Sequence, residues 1–489
     1  MKRILWISPL PPARTDIANY TLRLAPELIK SADVQFCTPA ALPCATDLPW
    51  RSLESLSARE LNQADICIYH IGNNLTFHED IFRLSRRHPG YVVLHDRSIH
   101  GLYADFLNLR NGAAQAEEVV QYLESMGQWY GQEGYIAAQN LLGGDATPDD
   151  FAAHFPLFEE ALDAALGVIT HNPSVTNEVR TRFPLMPCLH LPLPMAAEGG
   201  FDPSKRQRGL EERISLVAFG FMGMNRRLSE FIEAWRSSPW RHRFSLNIAG
   251  QLADWPSLRE QLRKAGLAQQ VRWHGYVSDT ELDALLRSAD LALNLRYPSM
   301  GEASGSQLRL WANGVPAVVT DTDWYAGLPD NVVFKVRPPE QEREDLLILL
   351  DNLANRALPL DAVAQAGWAY LRTQHEPGAY ISQLMRWLDT VEDDAVRQWA
   401  LRRHLWRISE QQRIFRTSAR CAFGPSIDAP GLINEWRTLA QDRHRRTYIG
   451  RATRGHWALC GSIGPASAQL RCPVFSLCPP PLACRALDH

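Results

Sequence analysis

Apolar and polar positions follow two alternating patterns along this chain. Short apolar runs rich in β-branched and aromatic residues, such as RILWIS and YVVLHD, alternate with stretches such as ANYTLRLAPELIKS, where apolar residues recur every three or four positions. The first pattern predicts buried strands and the second amphipathic helices. In the first half, strands are expected at RILWIS, DICIYHIG, YVVLHD and GVITHN, with helices between them. Segment 103–165 has mixed helical spacing and predicts several packed helices. PCLHLPLPMAAEGGFDPSKRQRG combines Pro, Gly and charge and reads as a linker. A second series follows, with strands at ISLVAFGF, FSLNIAG, VRWHGYV, DLALNLR and PAVVTD and a helix in each gap. Two alternating halves predict an α/β protein of two doubly wound Rossmann-like domains facing a cleft. Ligands of such sheets bind beyond the carboxyl ends of the strands, here in the cleft.

Composition narrows the function. With 489 residues, 45% hydrophobic and 21% charged, the chain is a globular protein large enough for several cores. A net charge of −3 gives no general attraction to nucleic acid, so none is expected as partner. No run reaches 18 apolar residues, and no membrane span is expected. The basic start MKRILWISPLPP is cut short by prolines and reads as a first strand rather than a signal peptide. Nine cysteines, with no metal-like clustering before residue 421, predict reduced thiols and a cytoplasmic location. The first strand leads into SPLPPARTDIANY, which lacks G-x-G-x-x-G, so a nicotinamide cofactor is not expected.

Three stretches carry candidate chemistry. In GEASGSQLRLWANGVP, Gly301 and Gly305 let backbone N–H groups approach a ligand, and Ser304 and Ser306 are good N-cap residues. The helix that follows offers unpaired amides and the positive end of its dipole, which suit a diphosphate. The plainer alternative is an ordinary capped helix. In FGFMGMNRRL, Arg226 and Arg227 follow a strand end, where a guanidinium can clamp phosphate oxygens in a bidentate way. A solvated Arg pair is the competing account. Arg296, ending LALNLR, is a second candidate cation. In VVLHD, His95 and Asp96 stand at the carboxyl end of a buried strand, where α/β proteins place chemistry; a simple strand-end cap is the alternative.

Taken in order, SPLPPARTDIANY, YHIGNN with His78 after it, PGYVVLHD, GVITHNPSV, FGFMGMNRRL, VRWHGYVSDTEL and MGEASGSQLRLWANGVPAVVTDTDWYAGLPD resemble the GT-B glycosyltransferases of family 4. The likeness is to bacterial enzymes that build surface polysaccharides, and it runs from about Ile4 to about Leu388. It implies retaining transfer of a hexose from a nucleotide-diphosphate sugar to a growing glycan or lipid-linked acceptor, with no metal and no other cofactor. It also implies a donor site at Gly301, Glu302, Ala303, Ser304 and Gly305, helped by Arg227, Arg296 and Tyr276. His95, Asp96 and Arg226 would serve the reaction itself. Asp16, Asn73 and His78 would lie on the acceptor side. Trp324 and Tyr325 could wall the sugar or the base, although core packing is the commoner fate of such a pair.

Two positions depart from the family pattern. The family commonly carries a Glu, seven intervening residues and a second Glu, which help hold the donor ribose; here those places fall on Gly301 and Arg309. The first loop usually carries Gly where Asp16 brings a negative charge toward a phosphate. An epimerase of the same fold and an inactive nucleotide-sugar-binding partner are the rival readings.

The resemblance divides the chain into an acceptor-side domain (1–195), a linker (196–212), a nucleotide-sugar-binding domain (213–375), a helix crossing back to the first domain (376–392), a helical extension (393–442) and a tail (443–489). The extension places Leu401, Leu405 and Ile408 at helical spacing among arginines, as a basic helix touching membrane or one packed on the body would. The tail holds seven Arg and one acidic residue, and its cysteines, Cys460, Cys472, Cys478 and Cys484, fit zinc spacing poorly. It reads as disordered or aberrant.

Overall fold

The computed structural model of the chain describes residues 1–391 apart from 40–43, 45, 111–112, 144–147, 198 and 202–212. Most of the expected linker, the helical extension and the tail with its four cysteines therefore lie outside the described residues.

Strands β1 (Arg3–Ile7), β2 (Asp33–Thr38), β3 (Trp50–Ser52), β4 (Ile66–Ile71), β5 (Tyr91–Leu94), β6 (Gly167–Thr170) and β7 (Cys188–His190) form one parallel sheet in the order β3-β2-β1-β4-β5-β6-β7. Strands β8 (Ile214–Phe219), β9 (Phe244–Ala249), β10 (Val271–Gly275), β11 (Leu291–Asn294), β12 (Ala317–Thr320) and β13 (Phe334–Val336) form a second, in the order β10-β9-β8-β11-β12-β13. In both sheets the first strand in sequence is central and the order reverses beside it. This is the doubly wound architecture expected from the alternating runs.

The central strands are continuous apolar runs because both faces are covered. In β1, Leu5 and Ile7 join one core with β4, β5 and the helices Leu75–Arg87, His100–Phe106 and Ala116–Leu142. Ile4 and Trp6 face the opposite core, built on helices Asp16–Ser31 and Pro377–Val391. Burial of Leu24, Leu28 and Leu384 there stabilises the fold by roughly 1.5–3 kcal/mol per side chain. The helix Pro377–Val391 packs along Asp16–Ser31. Tyr20 and Tyr380 share a hydroxyl hydrogen bond of 2.6 Å, and Lys2 pairs with Asp389 at 2.9 Å. The last helix of the described body thus returns to the first helix of the chain.

One sequence expectation needs correction. Cys188–Leu189–His190, inside the stretch read as linker, forms the edge strand β7. Pro187 precedes the strand and Pro192 follows it, so neither removes a ladder donor within it.

Candidate functional site

The carboxyl ends of β1, β5 and β6 face those of β8 and β11 across a cavity of about 330 Å³. Its walls include Asp16, Tyr20, Arg23, His95, Asp96 and His171 from the first sheet's loops. From the second come Phe219, Arg296, Glu302, Ala303, Ser304, Gly305, Ser306 and Arg309.

The second-domain wall is built by a loop and a helix start. β11 ends at Asn294, and the chain runs through Arg296 to Gly301. Gly301 has φ +81°, and a Cβ there would overlap the Arg97 side chain, so glycine is required. Asn172 donates to the Gly301 carbonyl (3.1 Å) and to Asp323 Oδ1 (2.9 Å), and Ser98 N–H donates to the Met300 carbonyl (3.1 Å). These bonds hold the loop against the first domain. Ser304 then caps the helix Gly305–Ala312, accepting from Gln307 N–H at 3.1 Å. Ser304 also accepts the Leu308 N–H through its carbonyl. Among the described residues the N–H groups of Gly305 and Ser306 have no hydrogen-bond partner and are open to an outside acceptor.

Arg226 lies one layer behind this wall and does not line the cavity. Its guanidinium donates to the Phe219 carbonyl (2.9 Å) and to Asn294 Oδ1 (3.2 Å). A methyl at Gly220 would sit 3.6 Å from Arg226 Nη2 and 4.0 Å from Ser306 Oγ. Among the described residues it has no carboxylate partner. Burial, and then the nearby Arg296 charge, pull its pKa down to about 9. A buried cation without a counterion behind a helix N-terminus favours an anion in front of it.

The first-domain wall is histidine-rich. β5 delivers His95 and Asp96, and β6 delivers His171. His95 Nε2 and His70 Nδ1 are 3.1 Å apart, and His171 packs on His95 with ring centroids 5.1 Å apart. His171 Nδ1 donates to the Leu191 carbonyl (2.9 Å), which leaves its buried Nε2 as an acceptor with no partner among the described residues. Burial pulls His171 down to about 4 and His70 and His95 well below the ordinary range, so all three are neutral near pH 7. Asp96 Oδ2 accepts the Asn73 N–H at 2.7 Å. Burial pushes its pKa up, opposed by that bond and by the Arg296 charge. Gly72 admits this crowding: a Cβ there would stand 2.7 Å from Ile17 Cδ1 and 3.1 Å from both Asp96 Oδ2 and His78 Nε2.

The structure thus brings Asp16, His95, Asp96, Arg296, Glu302, Ala303, Ser304 and Gly305 around one cavity. Other expected residues lie elsewhere. Arg227 does not reach the donor wall. Its backbone is left-handed (φ +57°), and its guanidinium pairs with the buried Glu342 at 2.6 Å and with Glu230 at 2.8 Å. Tyr276 is 75% exposed, follows Gly275 at φ +68°, and lies under the Arg14 guanidinium outside the cavity. Asn73 acts through its backbone on Asp96, while its Oδ1 accepts from Leu102 N–H. His78 is buried and donates Nδ1–H to the His70 carbonyl, so it supports the cluster from behind. Arg296, by contrast, lines the cavity, where it is paired with Glu302. Trp324 and Tyr325 are buried in the core.

Arg309 does line the cavity, held by Asp279 (2.6 Å) and Asp283 (2.9 Å), so carboxylates stand beside it where the chain lacks one at 309. The cavity also takes Tyr20, Arg23 and His171, none of which the sequence pattern singles out. For His171 the signal was present: GVITHN ends a strand with His, as VVLHD does.

Residues 213–352 match the model of a family described as glycosyl transferases group 1. Among solved structures, Anabaena HepE in complex with UDP-glucose aligns with a TM-score of 0.53 at 13% identity, over 80% of this chain and 100% of that one. The same protein in complex with UDP gives 0.51, also at 13% identity and the same coverage. WaaG, a glycosyltransferase involved in lipopolysaccharide biosynthesis, aligns at 0.47 and 17% identity, over 78% of this chain and 98% of WaaG. Comparison with curated proteins finds no sequence match. The fold is GT-B, two Rossmann-like domains about a cleft. The family match over the second domain and this fold support a GT-B glycosyltransferase.

Proposed function

We propose that this protein transfers a hexose, with retention, from a nucleotide-diphosphate sugar to a growing glycan or lipid-linked acceptor of a surface polysaccharide. One observation carries the reading: a helix N-terminus with two N–H groups that find no partner among the described residues, backed by the buried Arg226 charge, opens on a cavity whose far wall is His95, Asp96 and His171. A diphosphate on the N–H groups of Gly305 and Ser306 would have Arg226 behind it. That charge would also stabilise the departing nucleotide diphosphate as its negative charge grows. The sugar would then project toward the first domain. There a neutral His95 orients hydroxyls and Asp96 accepts a proton from the acceptor. The leaving diphosphate stays on one face of the sugar while the acceptor approaches that same face, so configuration is kept. No metal or further cofactor takes part in this scheme. HepE, solved with UDP-glucose, supports a uridine nucleotide as the first donor class to test.

A second reading has its own support. Asp16 on the donor seat and Arg309 in the cavity favour a partner that binds nucleotide sugars without turning them over. Among the described residues no helix is long and apolar enough to cross a membrane.

The test is a titration with UDP, GDP, ADP and their sugar conjugates, following the thermal midpoint. A ligand at about 100 times its dissociation constant adds about 2.7 kcal/mol to the folded state. A shift with one base names the donor class, and no shift with any base removes the reading. Donor consumed only when acceptor is present establishes transfer, whereas binding without consumption establishes the second reading.

A further inference from the structure

The geometry points to Asp16 as a resident counter-anion of the donor seat, which a nucleotide diphosphate displaces on arrival and which drives the product out on return. This rests on the reading of the Gly305–Ala312 helix start as the diphosphate seat. Asp16 opens the first helix of the chain, in the first domain, whereas the seat belongs to the second. Yet its carboxylate lies directly against Gly305: a Cβ on Gly305 would overlap Asp16 Oδ2. The other oxygen, Oδ1, accepts from Arg23 Nη2 at 2.9 Å. Asp16, Arg23 and Gly305 all line the cavity.

Each partner has a physical reason to be there. A carboxylate is favoured at the positive end of a helix dipole, as a phosphate is. The buried Arg226, with no carboxylate of its own among the described residues, adds to the pull toward the same place. Arg23 gives Asp16 somewhere to stay when it leaves the seat, since its bond is to the oxygen turned away from Gly305. Arg23 Nη1 is buried without a partner among the described residues, so the guanidinium has capacity to follow the carboxylate.

A diphosphate and this carboxylate carry like charge and would occupy the same space in front of Gly305. Donor binding therefore works against the Asp16 contact, and the released contact reforms as the nucleotide diphosphate departs. Asp16 lowers nucleotide affinity and shortens nucleotide residence, and it couples both to the approach of the two domains. Coupling of this kind is reciprocal: whatever strengthens the Asp16 contact weakens nucleotide binding by the same factor.

The experiment measures the affinity and dissociation rate of UDP, GDP and ADP for the full chain and for the Asp16→Asn and Asp16→Gly variants. Calorimetry gives the affinity and stopped-flow displacement the rate, with thermal midpoints confirming that each variant folds. The expected result is a nucleotide bound at least about fivefold more tightly by both variants, with most of the gain in a slower dissociation rate. Equal or weaker binding by both folded variants overturns the proposal and leaves the donor seat standing. Binding of no nucleotide by any of the three proteins overturns the donor seat and the proposal together. Should one substitution fail to fold, the other carries the same comparison.

Discussion

His70 and His95 face each other beneath the cavity with Nδ1 and Nε2 3.1 Å apart, enclosed by Trp6, Tyr20 and His171. One proton occupies the bond between them, and burial keeps both rings uncharged. His78, His100, His171 and His375 are likewise pulled down to about 4 by burial. Their unfolded values are near 6.5, so the unfolded chain takes up protons first as pH falls. The stability they contribute is complete above about pH 6.5 and is lost as pH falls toward 4. At pH 5, 1.5 units below the unfolded value, one such histidine costs about 2 kcal/mol at 1.36 kcal/mol per unit. The urea midpoint is expected to fall steeply between pH 6.5 and 5. A flat midpoint over that range would mean these imidazoles titrate as they do in the open chain.

Arg226 makes a sharp case because its two possible roles differ in sign. A structural cation loses stability when replaced, whereas a buried charge without a counterion costs stability while it is there. Arg226→Met removes the charge and keeps much of the volume. Nucleotide-diphosphate affinity is expected to fall about 10-fold, roughly 1.4 kcal/mol, as the diphosphate loses a charge acting on it from behind the wall. The urea midpoint without ligand should stay level or rise. Unchanged affinity with lost stability would make Arg226 a strut between Phe219 and Asn294.

Gly250 tests how the donor wall is held. It follows β9 at φ +120°, and a Cβ on it would overlap the carbonyl oxygen of Gly220, which follows β8. No flexible side chain can yield there, because both partners are backbone. Gly250→Ala should destabilise the fold by about 1–3 kcal/mol or more, since strain and overlap act together. It should also weaken nucleotide binding, because residues 220–226 carry Arg226 into place. An alanine variant as stable as the parent would show that the two strand ends can separate freely.

How much of this was readable in the sequence follows from what each residue depends on. β1, β4, β5 and β6 are runs of β-branched and aromatic residues buried on both faces, so their apolar pattern was enough. β7 is three residues long among prolines, and only its pairing with β6 makes it a strand. The loop 301–305 announced itself through glycine and serine at a helix start. The choice between Arg226 and Arg227 did not, because it turns on a left-handed backbone at Arg227 and on Glu342, over a hundred residues away. Tyr276 failed for a similar reason: Gly275 turns the chain outward after β10. Asp16 was visible as a misplaced charge, but its contact with Gly305 depends on how the two domains approach each other.

Asp96 is the residue on which the chemical step is best tested. It stands across the cavity from the donor helix, and its Oδ2 already accepts the Asn73 N–H. An asparagine can keep that bond through its own carbonyl oxygen, so Asp96→Asn removes a charge and a proton acceptor with little loss of structure. If Asp96 takes the acceptor's proton, transfer should slow by about 10²–10⁴-fold. Nucleotide-diphosphate affinity should change by less than about threefold, because the loss falls on the reacting state rather than on donor binding. Burial raises the Asp96 pKa, and only the ionised carboxylate can accept a proton. The rate of the parent should therefore drop as pH falls through that raised value, and the asparagine variant should lose this limb of the profile. A variant within tenfold of the parent, with the acid limb intact, would make Asp96 an anchor for the Asn73 turn and move the search for the base to His95 and His171.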